Sequence, residues 1–353
     1  MILTRYVMSH VIWSVLGVLS VIVAVDIIFA FFDELGNLQD NYTFLDALIY
    51  SFAFAPVRFV EFTSVSTLIG CLVGLGVLAS NSELVVMRAA SIGMVRIVSM
   101  VCLASIVIST LSLVVAEVLV PKVALFAESY KSAKVGFYGK YDQGVWLRDS
   151  EDFIYVNRLS PKGEIKKMNM FRPLDGGQMK LTSVAEGIYL PQQKQWQLHD
   201  VRSTQIDIDN KTLSTHSTAE LLWNASVSPR ELMLLQLKPE NLSITGLFDY
   251  KRYLQNQGLN NERYNLMFWK LILQPLANFV MVLLAASMVF GSMRAVSMGY
   301  RITLGLIYGL SFYYLQEVFG FLSLVYGLHP LVSLMIPLSV FIGFAVVRLR
   351  AVG

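Results

Sequence analysis

The chain has 353 residues, 55% of them hydrophobic and 15% charged, with a mean hydropathy of +0.57. That composition cannot be spread over a soluble surface, so the class is integral membrane protein. A net charge of +3 gives no reason to invoke nucleic acid, and the two cysteines, Cys71 and Cys102, both fall in apolar runs, which excludes a disulfide framework for the polar part of the chain.

Spanning about 30 Å of hydrocarbon takes roughly 20 helical residues. Six apolar stretches reach that length, near 7–32, 58–80, 97–120, 266–290, 302–324 and 330–347. The first is too long for a signal-peptide core and reads as an uncleaved anchor. With the N-terminus in the cytoplasm, Arg5, Arg88, Arg96, Arg294, Arg301, Arg348 and Arg350 all lie inside, against Glu83 as the one acid, while the short outer loops 33–57 and 323–329 hold no Lys or Arg. The polar block between the third and fourth runs then lies outside the cytoplasm, and the C-terminus returns inside.

Between the second and third runs, residues 80–90 read Ser-Asn-Ser-Glu-Leu-Val-Val-Met-Arg-Ala-Ala. An amphipathic, ionisable segment at the end of a span is a poor neighbour for lipid and a good plug for a socket on a partner. The polar block reads as β: 153–159, 187–190 and 195–201 are rich in aromatic and β-branched residues, and turn signals stand at Ser160-Pro161-Lys-Gly163, Asp175-Gly-Gly177 and Asp209-Asn-Lys211. A sandwich, jelly roll or open barrel fits that spacing. Residues 245–255 read as a short amphipathic helix closed by Gly258, either a plain linker or a lever carrying the domain's movement into the fourth span. The plan is an α-helical polytopic membrane protein with six transmembrane helices and an inserted all-β domain. Its units are 1–120 with a cytoplasmic helix near 80–93, 121–263, and 264–353.

Charge inside a span is costly and marks function by default. Asp26, Arg58, Glu61, Glu117, Lys270 and Glu317 fall in the outer halves of their helices and the inner halves hold essentially none. A proton relay or channel would string polar groups across the whole thickness, so a polar cavity open at the outer leaflet is favoured. Arg58, Lys131, Arg263 and Lys270 offer cations at the level of an anionic lipid head group; the competing reading is that they snorkel or pair with Glu61, Glu117 and Glu317. Two pairs of glycines one turn apart, Gly70/Gly74 and Gly305/Gly309, permit close helix approach. No phosphate-binding Gly-rich loop, Gly-x-Ser-x-Gly elbow or metal spacing of His10, His199, His216 and His329 occurs, so no catalytic or metal residue is assigned. A motor, if there is one, is outside the chain.

The run Gly74-Leu-Gly-Val-Leu-Ala-Ser-Asn-Ser-Glu-Leu-Val-Val-Met-Arg88 resembles the LptF/LptG permeases, the membrane part of the lipopolysaccharide exporter. Ile244-Thr-Gly-Leu247, Arg263-Tyr264, Trp269-Lys-Leu-Ile-Leu-Gln-Pro275, Phe290-Gly-Ser-Met-Arg294, Ser297-Met-Gly299 and Leu324-Val-Tyr-Gly327 extend the likeness in order. The resemblance implies six spans, a periplasmic β-jellyroll and an inner-membrane location. It implies assembly with the sister permease LptF, a dimer of the ATPase LptB, LptC and the periplasmic bridge protein LptA, with ATP and Mg used by LptB and no cofactor on this chain. Glu83 matches the acid that family members set into a groove of the ATPase, beside Leu84, Met87 and Arg88. Lys131, Arg263 and Lys270 match basic positions near the family's cavity entrance, Arg58 stands where other members also carry a basic residue, and Gly305 and Gly309 would lie near a mobile gate between subunits. Some relatives carry a lysine in the first helix one turn before the acid matched by Asp33; this chain has Ala30, which shifts weight onto the other cations. A non-transporting scaffold worked by an ATPase and an intramembrane enzyme are the competing classes.

Overall fold

In the computed structural model, residues 2–39, 41–135, 145–149, 151–159, 164–174, 178–207, 212–224, 229, 232, 237–256, 260–290 and 297–350 are described. The turns at 160–163, 175–177 and 209–211, Gly258, Arg294 with the rest of its motif beyond Phe290, and the side chain of Arg301 lie outside that set.

Helix α1 (Ile2–Leu35) precedes a short helix α2 (Phe44–Ala53); α3 (Ala55–Ser80) follows, then the seven-residue α4 (Glu83–Ala89) and α5 (Met94–Val114). Five described helical segments are long and apolar enough to cross a membrane: α1, α3, the continuous Met94–Lys131, and the later helices α8 (Glu262–Phe290) and α10 (Pro330–Arg350). The sixth expected span is the 29-residue α9 (Met298–Tyr326), less apolar because Tyr308, Tyr313, Tyr314, Gln316 and Glu317 interrupt it.

The third span does not stop at Pro121. After α5 the chain makes a π turn, Val115–Leu119, and runs on as α6 (Val120–Val135). Proline lacks an N–H and its ring crowds the carbonyl four residues back, here that of Glu117. A π turn just before it relieves that conflict, so the helix continues past the apolar run to Val135.

α3 is the hub of the bundle. It buries an almost unbroken run from Val65 to Leu72 because α1, α8 and α9 cover its different faces. In its first half α1 buries the stripe Val7, Val11, Val15 and Leu19, one residue per turn, and further on Ile27 and Glu34. A seam of small polar side chains ties the middle together. Asn278 of α8, fully buried, accepts from the Ser64 hydroxyl (2.7 Å) and donates to Ser109 Oγ (2.8 Å), while Thr63 donates to Ser112 (3.3 Å). Lipid tails supply no hydrophobic drive between helices, so such interhelical hydrogen bonds and close packing select the arrangement.

The inserted domain is all β. Strands β1 (Val145–Asp149), β2 (Asp152–Leu159), β3 (Ile165–Leu174), β4 (Gln178–Leu190), β5 (Gln195–Asp207) and β6 (Thr212–Trp223) form one antiparallel sheet in sequential order. Among the described strands there is thus a meander rather than the crossover of a Greek key. One face buries Leu147, Ile154, Val156, Ile165, Met168, Val184, Trp196 and Leu198. The edge strand β6 is exposed along 11 of its 12 residues, ending at the buried Trp223.

Helix α7 (Ile244–Asn256) links the β domain to α8. Its first turn is held from outside: the Glu117 carboxylate accepts from the Ile244 amide (2.9 Å), the Thr245 amide (3.4 Å) and the Thr245 hydroxyl, and Ser243 Oγ takes the Gly246 amide (3.0 Å). The orphan N–H groups of a helix start are so satisfied, with a negative charge at the positive end of the dipole. Glu117 sits on the π turn, so one carboxylate fastens the domain's exit helix to the third span.

Candidate functional site

Two places draw together the residues singled out from sequence. The first is α4, set between left-handed serines, Ser82 (φ 60) and Ser91 (φ 62). Non-glycine residues enter that region at some cost, and here they turn the chain sharply at both ends of one short helix. Leu84 (5% exposed) and Met87 (7%), three residues apart, face the bundle core beside Leu78 and Ile97. The spacing puts both on the inner side, where burial fixes α4 to the bundle, so of the four residues set at this helix these two pack inward. The outer side is Val85 (64% exposed), Val86 (66%) and the exposed Arg88. The two valines were missed because Val-Val inside an apolar chain carries no signal until the inner face is known. Glu83 is half-buried at the start of α4 and accepts from the Tyr6 hydroxyl of α1 (2.9 Å) and from Asn81 Nδ2 (3.4 Å).

The second place is the ion-pair system at the other end of the bundle. Arg58 of α3 pairs with Asp26 of α1 (2.9 Å) and with Glu61 (3.0 Å), and Glu61 accepts from the Tyr313 hydroxyl of α9 (2.9 Å). Lys270 of α8 pairs with Glu317 (2.6 Å), one turn beyond Tyr313 on α9. Arg263 lies two turns before Lys270 on α8 and reaches Glu240 (2.8 Å) in the 3-10 turn Pro239–Asn241. Residues seven apart share a helix face, so Arg263, Lys270 and, through α9, Arg58 follow one line. Lys131 does not join it. It is 2% exposed, paired with Glu34 of α1, with its ammonium 4.6 Å from the Tyr50 ring centre. Taken from sequence as a lipid-facing cation, it is a buried clamp between α6 and the end of α1, because α6 continues as helix and carries position 131 inward. Beside it, Asp46 of α2 takes hydrogen bonds from Tyr130 and from the Thr43 amide and hydroxyl, which hold its carboxyl well below the usual range.

The glycine pairs meet helices of this same chain. A Cβ on Gly70 would stand 2.4 Å from Val15 Cα, and one on Gly74 3.1 Å from Ser14 Oγ, so α3 and α1 cross backbone to backbone. Gly305 and Gly309 turn toward α3, where a Cβ would meet Leu72 Cδ1 (2.4 Å) and Val65 Cγ1 (3.1 Å). They face inward rather than toward a neighbouring subunit.

Helices long and apolar enough to cross a membrane, an inserted β domain and a short exposed helix between spans define a polytopic membrane protein with a β domain. The family described as "Lipopolysaccharide export system permease LptF/LptG" matches residues 5–351. Similar proteins include the "Lipopolysaccharide export system permease protein LptG" of Escherichia coli strain K12, 31% identical over 345 residues that cover 96% of this chain and 95% of the relative. The protein of the same description from Haemophilus influenzae strain Rd is 28% identical over 344 residues, 96% of each chain. The chain belongs to the LptF/LptG family of lipopolysaccharide export permeases.

Proposed function

We propose that this chain is one of two permease subunits of an ATP-driven exporter that takes lipopolysaccharide from the outer leaflet of the inner membrane and passes it to a periplasmic bridge. Both termini and α4 lie in the cytoplasm and the β domain in the periplasm. The partners are LptF, an LptB dimer that binds ATP and Mg, LptC and LptA; the chain itself holds no cofactor. The observation that carries the coupling is α4, whose inner face is locked to the core by Leu84 and Met87 while Val85, Val86 and Arg88 stand free. A push on the outer face moves the bundle as a body, because the buried side has no slack. Glu83, already touching α1 through Tyr6, is the charge that a basic group on the ATPase engages, and truncating one partner of such a pair leaves the other desolvated.

At the outer end, Arg263, Lys270 and Arg58 are the phosphate contacts, and each holds a carboxylate until substrate arrives. Phosphate can replace carboxylate on a guanidinium in the same two-pronged geometry. Exchange of partners at Arg58 would release Asp26 and loosen α1 from α3. The edge of β6, unpaired among the described strands, offers its backbone groups to a strand of the bridge.

Purification of the complex with its neighbouring subunits, followed by lipid mass spectrometry, tests this reading. Bound lipopolysaccharide is expected, and its crosslinking falls when Arg58, Arg263 and Lys270 are neutralised together. Absence of the lipid favours a non-transporting scaffold; unchanged crosslinking means that the three side chains serve only as helix anchors.

A further inference from the structure

At the α4 end of the bundle, α1 and the first turn of α5 border a cavity of about 710 Å³. Its lining follows one face of α1, residues 4–5, 8–9, 12–13 and 16, next to the stripe that α1 buries against α3. The lining is graded. Polar groups gather at the chain-terminal end, where Thr4, Arg5 and Ser9 meet Arg96 of α5; Met8, Ile12, Trp13 and Leu16 form the wall beyond them. From Arg5 to Leu16 is eleven helical steps, about 16 Å, close to the hydrocarbon thickness of one leaflet, about 15 Å as half of 30 Å.

The two arginines differ from the cations at the other end. Among the described residues neither Arg5 nor Arg96 has a carboxylate within ion-pair distance, whereas Arg58, Lys131, Arg263 and Lys270 all do. Two free guanidinium groups above an apolar groove one leaflet deep match the charge and shape of a phosphate carried on acyl chains. We propose that this groove is a binding site for an anionic phospholipid of the cytoplasmic leaflet, with Arg5 and Arg96 on the head-group phosphate and one acyl chain along Met8, Ile12 and Leu16. The proposal rests on the cytoplasmic placement of the N-terminus given above. It concerns a lipid other than the transported one, which enters from the opposite leaflet. Tyr6, next to Arg5 in sequence, bonds Glu83 at the start of α4 (2.9 Å), so an occupied groove steadies the helix end against which α4 rests.

The test is native mass spectrometry of the full complex, assembled and isolated by size exclusion, titrated with phosphatidylglycerol or with phosphatidylcholine. Phosphatidylglycerol should be retained by the wild type and by Arg350→Gln, a control at an exposed arginine outside the groove. The double variant Arg5→Gln/Arg96→Gln should bind it roughly tenfold more weakly, the loss of about one charge-assisted contact, with weak phosphatidylcholine binding unaltered. Ile12→Trp, which fills the apolar wall and leaves both charges, should also lower phosphatidylglycerol retention. Equal retention by the double variant, equal loss on Arg350→Gln, or capture of a protein subunit instead of lipid by a photo-crosslinker at position 8 would overturn the site. The orientation fails separately, if Thr4→Cys is labelled by an impermeant thiol reagent from outside intact cells.

Discussion

The cations singled out at the two ends of the helical bundle are treated in opposite ways. At the end nearest the β domain, Arg58, Lys131, Arg263 and Lys270 each hold a carboxylate, and the bonds join different helices: α3 to α1, α6 to α1, α8 to the 3-10 turn, α8 to α9. At the α4 end, Arg5, Arg88 and Arg96 have no such partner among the described residues. Paired charge inside a low-dielectric bundle sets which helices sit together, because an unpaired one costs several kcal/mol. Charge left free at the membrane surface costs little and stays available to something outside the chain. At one end the cations are tied to other parts of the chain, Lys131 as a buried clamp and Arg58, Lys270 and Arg263 in partly exposed pairs; at the other they stand as contact points.

The largest effect that would break this contrast is at Lys131. Lys131→Met leaves Glu34 buried without its counter-charge and should destabilise the protein by about 3–5 kcal/mol, read as loss of folded protein in a thermal melt in detergent. Adding Glu34→Leu should restore most of the loss, and a mild single variant would mean that the pair is wetter than its 2% exposure indicates. Next is Glu117→Gln, which removes the charge from the start of α7 and should cost about 1–2 kcal/mol. Faster amide exchange confined to the first turn of α7 would report it, and unchanged exchange would show that Ser243 caps the helix alone. Smaller still is Arg263→Gln. Its pair with Glu240 is largely exposed, so stability should change by about 0–1 kcal/mol while substrate crosslinking falls; a large loss of stability would move Arg263 to the clamp class.

Acid sharpens the same contrast. The folded carboxyl of Asp46 is held below its ordinary value, first by Tyr130 and then by Thr43. The stabilisation it brings is complete above the unfolded carboxylate pKa of about 3.9 and is lost as pH falls through the folded value. Docking of α2 should thus be flat from pH 8 to 5 and weaken below about pH 4, and Asp46→Asn should abolish that acid-dependent part.

Apolar runs located every span, yet each helix except α10 begins at least three residues before its run, since hydropathy marks what lies in lipid while hydrogen bonds continue into polar ends. α2 went unread because a ten-residue, mostly apolar segment neither spans nor alternates. The strand segments 153–159, 187–190 and 195–201 fall inside β2, β4 and β5, but β6 was silent: a strand open on both faces has no alternation to display. The cations were legible as a class and their partners were not. Asp26 and Arg58 are 32 positions apart on different helices, and only the crossing set by Gly70 and Gly74 brings them within 2.9 Å. Likewise Glu83 stood out as an acid in the wrong place, while Tyr6, its partner on α1, gave no sign.

The coupling claim at α4 is tested most directly by Glu83→Ala in the complex reconstituted into vesicles, with ATP hydrolysis and lipopolysaccharide release followed together. Loss of release, with hydrolysis either uncoupled or gone together with bound ATPase, is the predicted result. Release per ATP at the wild-type level would contradict it.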